Sequence, residues 1–428
     1  MQEQSKGIAI SSVTALEILD SRGRPTLQAT VTLRDGTVAV AGVPSGASTG
    51  SREAVERRDG DSRRYGGLGV LDAVAAVEGE IASCLTGRRW PDLAAIDAGL
   101  IELDGTPGKS RLGANAIVGV SMASARALAA ADDKELWQWL SADPVPPRLP
   151  VPHFNVINGG VHAPNSLDFQ EFMIAPLGAP SFAEAVRAGA EVYGALRRLL
   201  TAGGQATGLG DEGGFAPQIA EPEEVLELLV AAIGDAGYLP GREGVAIALD
   251  PASSEFRGPD GRYWVAGQGL SSAEMIERYA QITDRYPVWL IEDGLAEDDW
   301  DGWAALTDRL GGRVRLVGDD IFVTNPAIIA DAISRGIGNS ALIKVNQIGT
   351  VTETLAAIAT CRDGGYAQFV SHRSGETTDT FIADLTVGAG CGLLKSGAPA
   401  RGERVAKYNR LLEIAAAQPG MPYGFAPR

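Results

Sequence analysis

Charged and hydroxyl side chains stand at or directly after five short apolar runs in the second half of the chain. Carboxylates that lie close together repel one another unless a cation neutralises them, and their hard oxygen atoms suit Mg²⁺. With a lysine and an arginine nearby, the inventory predicts a metal-dependent enzyme that acts on an anionic small molecule. IALD ends on Asp250, VWLIED on Glu292 and Asp293, and VRLVGDD on Asp319 and Asp320, while ALIKVNQ contains Lys344 and QFVSHRSGE contains His372, Arg373 and Ser374.

The same apolar runs predict the elements that hold these side chains. Short runs rich in Val, Ile and Leu, separated by segments of helical length, are typical of parallel strands that are buried on both faces. In a barrel of such strands the carboxyl-terminal ends converge on one mouth, where the chemistry is done. We therefore expect an α/β fold with a TIM-like β/α barrel, in which three carboxylates, Lys344 and Arg373 face one cavity.

A proline-rich segment predicts a boundary between two domains. Residues 142–152 contain five prolines and cannot form a regular helix. We expect an N-terminal α+β domain over residues 1–141, with two or three strands within residues 8–43 followed by two helical segments, 71–103 and 113–140. Residues 150–428 have about the length of an eight-stranded barrel, and their last part, QPGMPYGFAPR, is expected to form an irregular surface arm.

The amino-acid composition limits the binding partners and the cellular location that we expect for the protein. The 37 basic and 54 acidic residues give a net charge of −17, which argues against nucleic acid or an anionic membrane as a partner. Cys84, Cys361 and Cys391 are few, odd in number and scattered, so we expect neither a disulfide framework nor a cysteine zinc site. The start, MQEQSKGIAISS, has no apolar core of signal-peptide length, and no run approaches a membrane span, so we expect a cytoplasmic protein.

Long distinctive strings occur in one order along nearly the whole chain. They are ILDSRGRPT, VPSGASTGSREA, GANAIVGVSMA, FNVINGGVHAPNSLDFQEFMI, GDEGGFAP, LDPASSEF, IEDGLAEDDW, VGDDIFVTNP, IKVNQIGT, SHRSGETTDTFIADL and KSGAP. Together they resemble the enolase family of glycolytic hydro-lyases, and such a set is far more specific than any single short motif. The resemblance implies a small α+β domain before a barrel whose first units are rearranged, and the dehydration of 2-phosphoglycerate to phosphoenolpyruvate.

The resemblance also implies roles for the acids and for the lysine. Asp250, Glu292 and Asp319 would bind a first Mg²⁺, and Ser48, in the Ser/Gly loop PSGASTG, would bind a second Mg²⁺ that depends on substrate. Lys344 would remove the proton from C2; a lysine within an apolar run is costly unless it pairs or works, and nearby cations are expected to lower its pKa. Asp293 and Asp320 are expected to cap helices or support the ligands.

A second group of residues would handle the leaving hydroxyl and the anionic ends of the substrate. On its own, GDEGGFAP predicts only a turn, but the resemblance makes Glu212 the acid that protonates the C3 hydroxyl. A core role is expected for His153, in the proline-rich boundary, rather than for His162, which lies in a Gly-rich loop. The other residues implied are Glu171, Gln170 and His162 beside Glu212, His372, Arg373 and Ser374 for substrate binding with the last two on the phosphate, and Lys395 for the substrate carboxylate.

Several positions depart from the family pattern and leave alternatives open. One alternative is an enolase-like dehydratase of secondary metabolism, such as a carboxyphosphonoenolpyruvate synthase; another is a non-catalytic protein on this fold, against which the retained Lys344 and Glu212 argue. Gln28 and Glu413 alter a charge pair associated with the family's dimer contact, and we expect a homodimer or a higher homo-oligomer. The other departures are Arg24, Leu290, Gly294, Thr378, Leu393 and Gly402.

Overall fold

The computed structural model describes residues 7–141 and 144–425. Residues 1–6, residues 142–143 of the proline-rich segment and residues 426–428 therefore lie outside the described residues. These include pieces of both predicted domains and the end of the predicted surface arm. The division into residues 1–141 and 150–428 stays a prediction.

An antiparallel sheet of four strands forms the first part of the fold, in the spatial order β3-β2-β1-β4. The sequence PTLQATVTL alternates apolar and polar side chains, and Leu27, Ala29 and Val31 are fully buried on one face. Residues 8–43 contain three of the strands, as the sequence predicts. The strands are β1 (Ile8–Leu19), β2 (Pro25–Leu33), β3 (Val38–Gly42) and β4 (Arg89–Trp90).

Helices pack on this sheet, and the longest of them is buried almost throughout. A Cβ added at Gly119 of this helix would lie 3.0 Å from the Leu27 side chain, so small residues allow the close approach to the sheet. The two predicted helical segments are broken into shorter helices, by β4 and by the turn after Ala131. The helices are α1 (Leu71–Ala76), α2 (Ala82–Leu85), α3 (Leu93–Asp104), α4 (Ala114–Ala131) and α5 (Leu136–Trp139), with a π-helical segment at Val77–Ile81.

Helix α4 corrects one expectation, because it is long and apolar enough to cross a membrane by length and composition. However, 83% of its 18 residues are buried within the fold, as expected of a core helix. One such helix is weak evidence for a membrane span.

Eight strands close into a barrel, in the order β10-β11-β12-β13-β14-β5-β6-β7. Strand β6 runs antiparallel to both of its neighbours, β5 and β7, and all other neighbours pair in parallel. The predicted barrel with rearranged first units is therefore confirmed. Its strands are β5 (Val151–Asn158), β6 (Glu171–Ala175), β7 (Ala246–Asp250), β10 (Val288–Glu292), β11 (Arg315–Gly318), β12 (Ser340–Ile343), β13 (Ala367–Ser371) and β14 (Leu393–Lys395), and a hairpin of β8 (Tyr263–Val265) and β9 (Gln268–Leu270) follows β7.

The helices of the barrel begin at capping residues in the sequence. Asn325 accepts hydrogen bonds from two amides of the first turn of α10, and Ser271 and Glu274 form a capping box at the start of α8. The helices are α6 (Phe182–Ala202), α7 (Pro222–Asp235), α8 (Ser272–Arg285), α9 (Trp300–Leu310), α10 (Pro326–Ser334), α11 (Val345–Ile348), α12 (Val351–Asp363), α13 (Phe381–Gly388) and α14 (Gly402–Ala417).

The interior of the barrel is apolar below the strand ends. Leu290 and Leu393 are fully buried in one cluster with Trp289 and Phe369. His153 is also fully buried, with its ring 4.6 Å from that of Phe369, and burial lowers its pKa to about 3. His153 is therefore the core histidine that the comparison with His162 favoured. Two of the departures from the family pattern, Leu290 and Leu393, also lie in this apolar interior.

Candidate active site

The carboxyl-terminal ends of the barrel strands bring the predicted acids together. Asp250 and Glu292 are the last residues of β7 and β10, and Lys395 is the last residue of β14. Glu171 is the first residue of β6, and because β6 runs antiparallel it lies opposite Asp250 at the same end of the barrel. Reversal of one strand therefore adds a fourth group to the mouth of the barrel.

One small cavity at this mouth collects eleven of the thirteen predicted site residues. The other two, Glu292 and Asp319, bond to lysines that line it. Its volume is only about 10 Å³, close to the minimum for one water molecule, so a substrate enters only if the surrounding loops open. The predicted residues that line it are Ser48, His162, Gln170, Glu171, Glu212, Asp250, Lys344, His372, Arg373, Ser374 and Lys395.

Lys395 forms the centre of a buried charge cluster, which we call the Lys395 cluster. Its Nζ lies 2.8 Å from Glu292 Oε1, 3.1 Å from Glu171 Oε2 and 3.2 Å from Asp250 Oδ2. Burial opposes the charge of Lys395, but these carboxylates outweigh it and hold the pKa of Lys395 well above its usual value. Burial and neighbouring carboxylates raise the pKa values of Glu171 and Glu292. The ammonium therefore neutralises acids that would otherwise repel one another.

Lys344 makes a second buried ion pair, with Asp319. It directly follows β12, and its Nζ donates to Asp319 Oδ2, while Gln347 Nε2 donates to Asp319 Oδ1 over 2.8 Å. Burial lowers the pKa of Lys344, but the carboxylate of Asp319 outweighs burial and raises it. Lys344 is therefore protonated in this arrangement, and the lowering of its pKa beside a divalent cation stays a prediction.

Two glutamates and a histidine lie close together in the cavity that Lys344 also lines. His162 Nδ1 lies 3.9 Å from Glu171 Oε1 and 3.8 Å from Glu212 Oε1, and it has no hydrogen-bond partner among the described residues. Burial raises the pKa of Glu171, whereas two histidines and Arg404 overcome burial and lower that of Glu212. Carboxyl groups with pKa values moved apart are suited to hold and transfer one proton.

The protonation state of His372 follows from its partners. Nδ1 of His372 accepts a hydrogen bond from Arg404 Nη1, so the proton of the neutral ring lies on Nε2. Nε2 lies 3.2 Å from Glu212 Oε2, and burial lowers the pKa of His372 to about 3. A neutral His372 therefore faces an ionised Glu212.

The N-terminal part of the chain covers the cavity. The guanidinium of Arg373 forms a bidentate ion pair with Glu53, at 3.0 and 3.1 Å, and donates to the carbonyl of Ser48 over 3.2 Å. A Cβ at Gly46 would lie 2.2 Å from Arg373 Nη2, so a larger residue there would force the guanidinium to shift. The predicted phosphate ligand Arg373 is thus bound to a carboxylate in this arrangement.

Asp293 organises the turn that carries Asp319. Its two carboxylate oxygens accept hydrogen bonds from the amides of Asp319 and Asp320, at 2.8 and 3.0 Å. Asp293 itself has φ of 40°, a backbone conformation that is uncommon for residues other than glycine. The backbone bonds fix the direction in which Asp319 leaves β11.

The oxygen-rich donor set fits a hard divalent cation. Glu292 Oε2 is buried and has no hydrogen-bond partner among the described residues, as expected of an oxygen that awaits a cation. Lysine ammonium groups already hold Asp250, Glu292 and Asp319, so a metal ion on these residues must displace them. The groups whose ligand atoms all lie within 4.8 Å of one another are His162, Glu171 and Glu212, and Asp293, Asp319 and Asp320.

Several residues of the site were not singled out from the sequence. Arg404 is fully buried on α14 and donates to His372, to the carbonyls of Arg373 and Ser374, and to that of Asp211. The departure from the family pattern at Gly402 lies two residues before Arg404, but no local pattern in the sequence indicates that the Arg404 side chain is buried. Glu53, Gln347 and Asn155, which contact Arg373, Asp319 and Glu212, were missed for the same reason.

Comparisons with known proteins agree with the geometry. A family model described as "Enolase, N-terminal domain" matches residues 10–140, and one described as "Enolase, C-terminal TIM barrel domain" matches residues 147–419. The enolase of Acidothermus cellulolyticus is 56% identical over 405 residues, which are 95% of this chain and 94% of that protein. The enolase of Rubrobacter xylanophilus is 54% identical over 427 residues, 98% of each. The chain therefore belongs to the enolase family, and the prediction that it is a carbon–oxygen lyase is confirmed.

Proposed function

We propose that the protein catalyses the reversible dehydration of 2-phospho-D-glycerate to phosphoenolpyruvate. The observation that carries the proposal is the single cavity that Lys344 and Lys395 line together with Glu171, Glu212 and His162. Such a cavity holds both a candidate base and a candidate acid, which elimination across two carbon atoms needs. The names of both relatives support the same reaction.

Lys344 is the proposed base for the proton on C2. A proton next to a carboxylate is weakly acidic, because its removal gives a doubly charged enolate. Lys344 can accept this proton only after it has lost its own and has left Asp319. In the Lys395 cluster, the ammonium of Lys395 stabilises the negative charge that develops on the substrate carboxylate.

The Glu171–Glu212 pair is the proposed source of the proton for the departing C3 hydroxide. Because the pKa of Glu171 is raised and that of Glu212 is lowered, Glu171 takes up a proton more readily than Glu212 does. Glu212, the residue that the family resemblance makes the acid, must therefore gain a proton before it donates one. His162 and the neutral His372 lie close enough to orient both carboxyl groups.

Arg373 and Ser374 are the proposed phosphate ligands, with His372 and Gln170 at the edge of the same cavity. Glu53 occupies the guanidinium fork of Arg373 with the bidentate geometry that a phosphate would use. The substrate phosphate would therefore replace the Glu53 carboxylate, and the Ser/Gly loop would be rearranged in the same step.

Asp250, Glu292 and Asp319 are the proposed ligands of a first Mg²⁺, and Ser48 of a second that depends on substrate. Bound Mg²⁺ would supply positive charge against the enolate. The predicted homodimer or higher homo-oligomer remains a proposal; light scattering of the purified protein would establish its size.

Conversion of 2-phosphoglycerate, followed by the ultraviolet absorbance of phosphoenolpyruvate, tests the proposed function. We expect turnover on the order of ten per second or more. The matched control is Lys344→Met, which keeps the length of the side chain and removes the base. Turnover of a phosphonate analogue but not of 2-phosphoglycerate would contradict the proposal and favour the dehydratase of secondary metabolism.

A further inference from the structure

A larger cleft lies on the face of the barrel opposite the candidate active site. Its volume is about 920 Å³, within the range of small-molecule sites. Arg315, Ala367 and Leu393, which line it, are the first residues of β11, β13 and β14. The candidate catalytic residues lie at the other ends of the strands, so the cleft is separate from them.

Arginine dominates the charge of this cleft, which we call the arginine cleft. Among the described residues, no aspartate or glutamate lines it. This concentration of positive charge stands out in a chain whose net charge is −17. The cleft is therefore a local site of attraction for anions on an otherwise acidic protein. Its arginines are Arg148, Arg242, Arg313, Arg315 and Arg362.

Three of these guanidinium groups bond to backbone carbonyls only. Arg148 donates to Gly424 over 2.9 Å, Arg242 to Arg313, and Arg362 to Ala389. Within residues 7–141 and 144–425, none of the three forms an ion pair with a carboxylate. Burial lowers the pKa of Arg148, and no acid opposes this effect. Each guanidinium has five N–H donors, and Arg242, which is exposed, and Arg362, which is half-buried, can offer their remaining donors to a ligand.

Aromatic side chains complete one wall of the arginine cleft. The ring of Phe425 is 39% exposed and meets Trp289 edge to face, with centroids 5.5 Å apart. Trp289 is buried, and its indole N–H has no partner among the described residues. A flat ring of a ligand can stack on the exposed ring of Phe425.

We propose that the arginine cleft binds an organic polyphosphate of the size of a nucleotide. Arginine forks match phosphate oxygens, and several of them around one cleft suit a ligand with more than one phosphate. The cleft is much larger than a single inorganic phosphate, and the exposed ring of Phe425 provides a stacking surface for a base. This site is independent of the proposed dehydration.

Calorimetric titration of the full-length protein with ATP tests this proposal. We expect saturable binding with one ATP per chain, and binding weaker by roughly tenfold or more in the double variant Arg242→Gln/Arg362→Gln, which loses two charged donors. Arg187→Gln/Arg285→Gln removes the same charge from exposed arginines on α6 and α8, and should bind ATP like the wild type. Arg242→Gln alone, at an exposed residue, serves if the double variant does not fold.

Titrations with inorganic phosphate and with adenosine separate the parts of the ligand, and both should bind far more weakly than ATP. Absence of saturable ATP binding, or equal weakening in both double variants, would overturn the proposal. Inorganic phosphate that binds as tightly as ATP would also overturn it, since a simple anion site would then suffice. Loss of ATP binding in Arg373→Ala but not in Arg242→Gln would place ATP in the candidate active site and refute the separate cleft.

Discussion

Replacement of Lys395 by methionine tests whether the Lys395 cluster is held together by its ammonium. The side chain is 2% exposed and contacts three carboxylates within 3.2 Å. Methionine has a similar length and no charge, so Lys395→Met leaves Glu171, Asp250 and Glu292 facing one another without a neutralising partner.

The expected loss of stability in Lys395→Met follows from the distances between Lys395 Nζ and the three carboxylates. At an effective dielectric constant of about 20, each contact near 3 Å contributes roughly 5 kcal/mol of Coulomb attraction. Desolvation of the four groups and repulsion among the carboxylates offset most of this total. Removal of one partner from a buried ion pair typically costs about 3–5 kcal/mol. Because an unfolding entropy of about 2.1 cal/mol/K per residue holds for most globular proteins, a chain of 428 residues should lose roughly 3–6 °C in Tm.

Thermal unfolding in the presence of a chelator measures this loss. The pKa values of Glu171 and Glu292 are already raised, so these groups take up protons as pH falls and relieve the repulsion. The loss should therefore be larger at pH 8 than at pH 5. Added Mg²⁺ should raise the Tm of the variant more than that of the wild type, because it supplies the missing charge.

Lys134→Met, at an exposed residue after α4, is the matched control and should leave Tm unchanged. If Lys395→Met melts at the wild-type temperature in chelator at pH 8, the ammonium does not stabilise the cluster, and the reasoning is wrong.

Three further predictions concern single residues. Lys344→Ala should abolish exchange of the C2 proton with solvent, while circular dichroism shows a folded protein; exchange at the wild-type rate would show that another group is the base. Asp319→Asn should raise the Mg²⁺ concentration for half-maximal activity by roughly tenfold or more, and an unchanged value would remove Asp319 from the ligand set. Burial raises the pKa of Asp97 to about 6, above the 3.8 of the unfolded chain. The folded state therefore holds this proton more tightly, and the contribution of Asp97 to the free energy of unfolding is greatest below pH 3.8. This contribution falls by about 3 kcal/mol as pH rises through 6. Asp97→Asn should therefore raise Tm more at pH 7.5 than at pH 5, and equal shifts at both values would contradict this cause.

The departures from the family pattern have a different meaning in the fold than in the sequence. Leu393 is close in sequence to Lys395, which suggests a lost polar support for the substrate clamps. In the fold it packs in the apolar barrel interior with Trp289 and Phe369. A Cβ at Gly402 would meet no atom within 4 Å, so a serine fits there without a clash. Neither position explains a change of substrate.

The sequence by itself determined the barrel and the end of it that carries the chemistry. Asp250 and Glu292 end their strands, and parallel strands place such residues at one mouth whatever the rest of the chain does. The apolar runs also determined which residues are buried, since strands of this kind are covered on both faces. Placement of these side chains therefore needs only local pattern and strand direction.

Only the tertiary structure decided which charges meet. Lys395 contacts Glu171, 224 residues away in sequence, and Arg373 contacts Glu53, 320 residues away. Glu171 reaches the mouth because β6 runs antiparallel, which no local pattern indicates. Burial removes the solvent that would screen these charges, so the pKa of each group depends on partners that the chain brings together only when it folds. The contact with Asp319, 25 residues away in sequence, raises the pKa of Lys344 in this way.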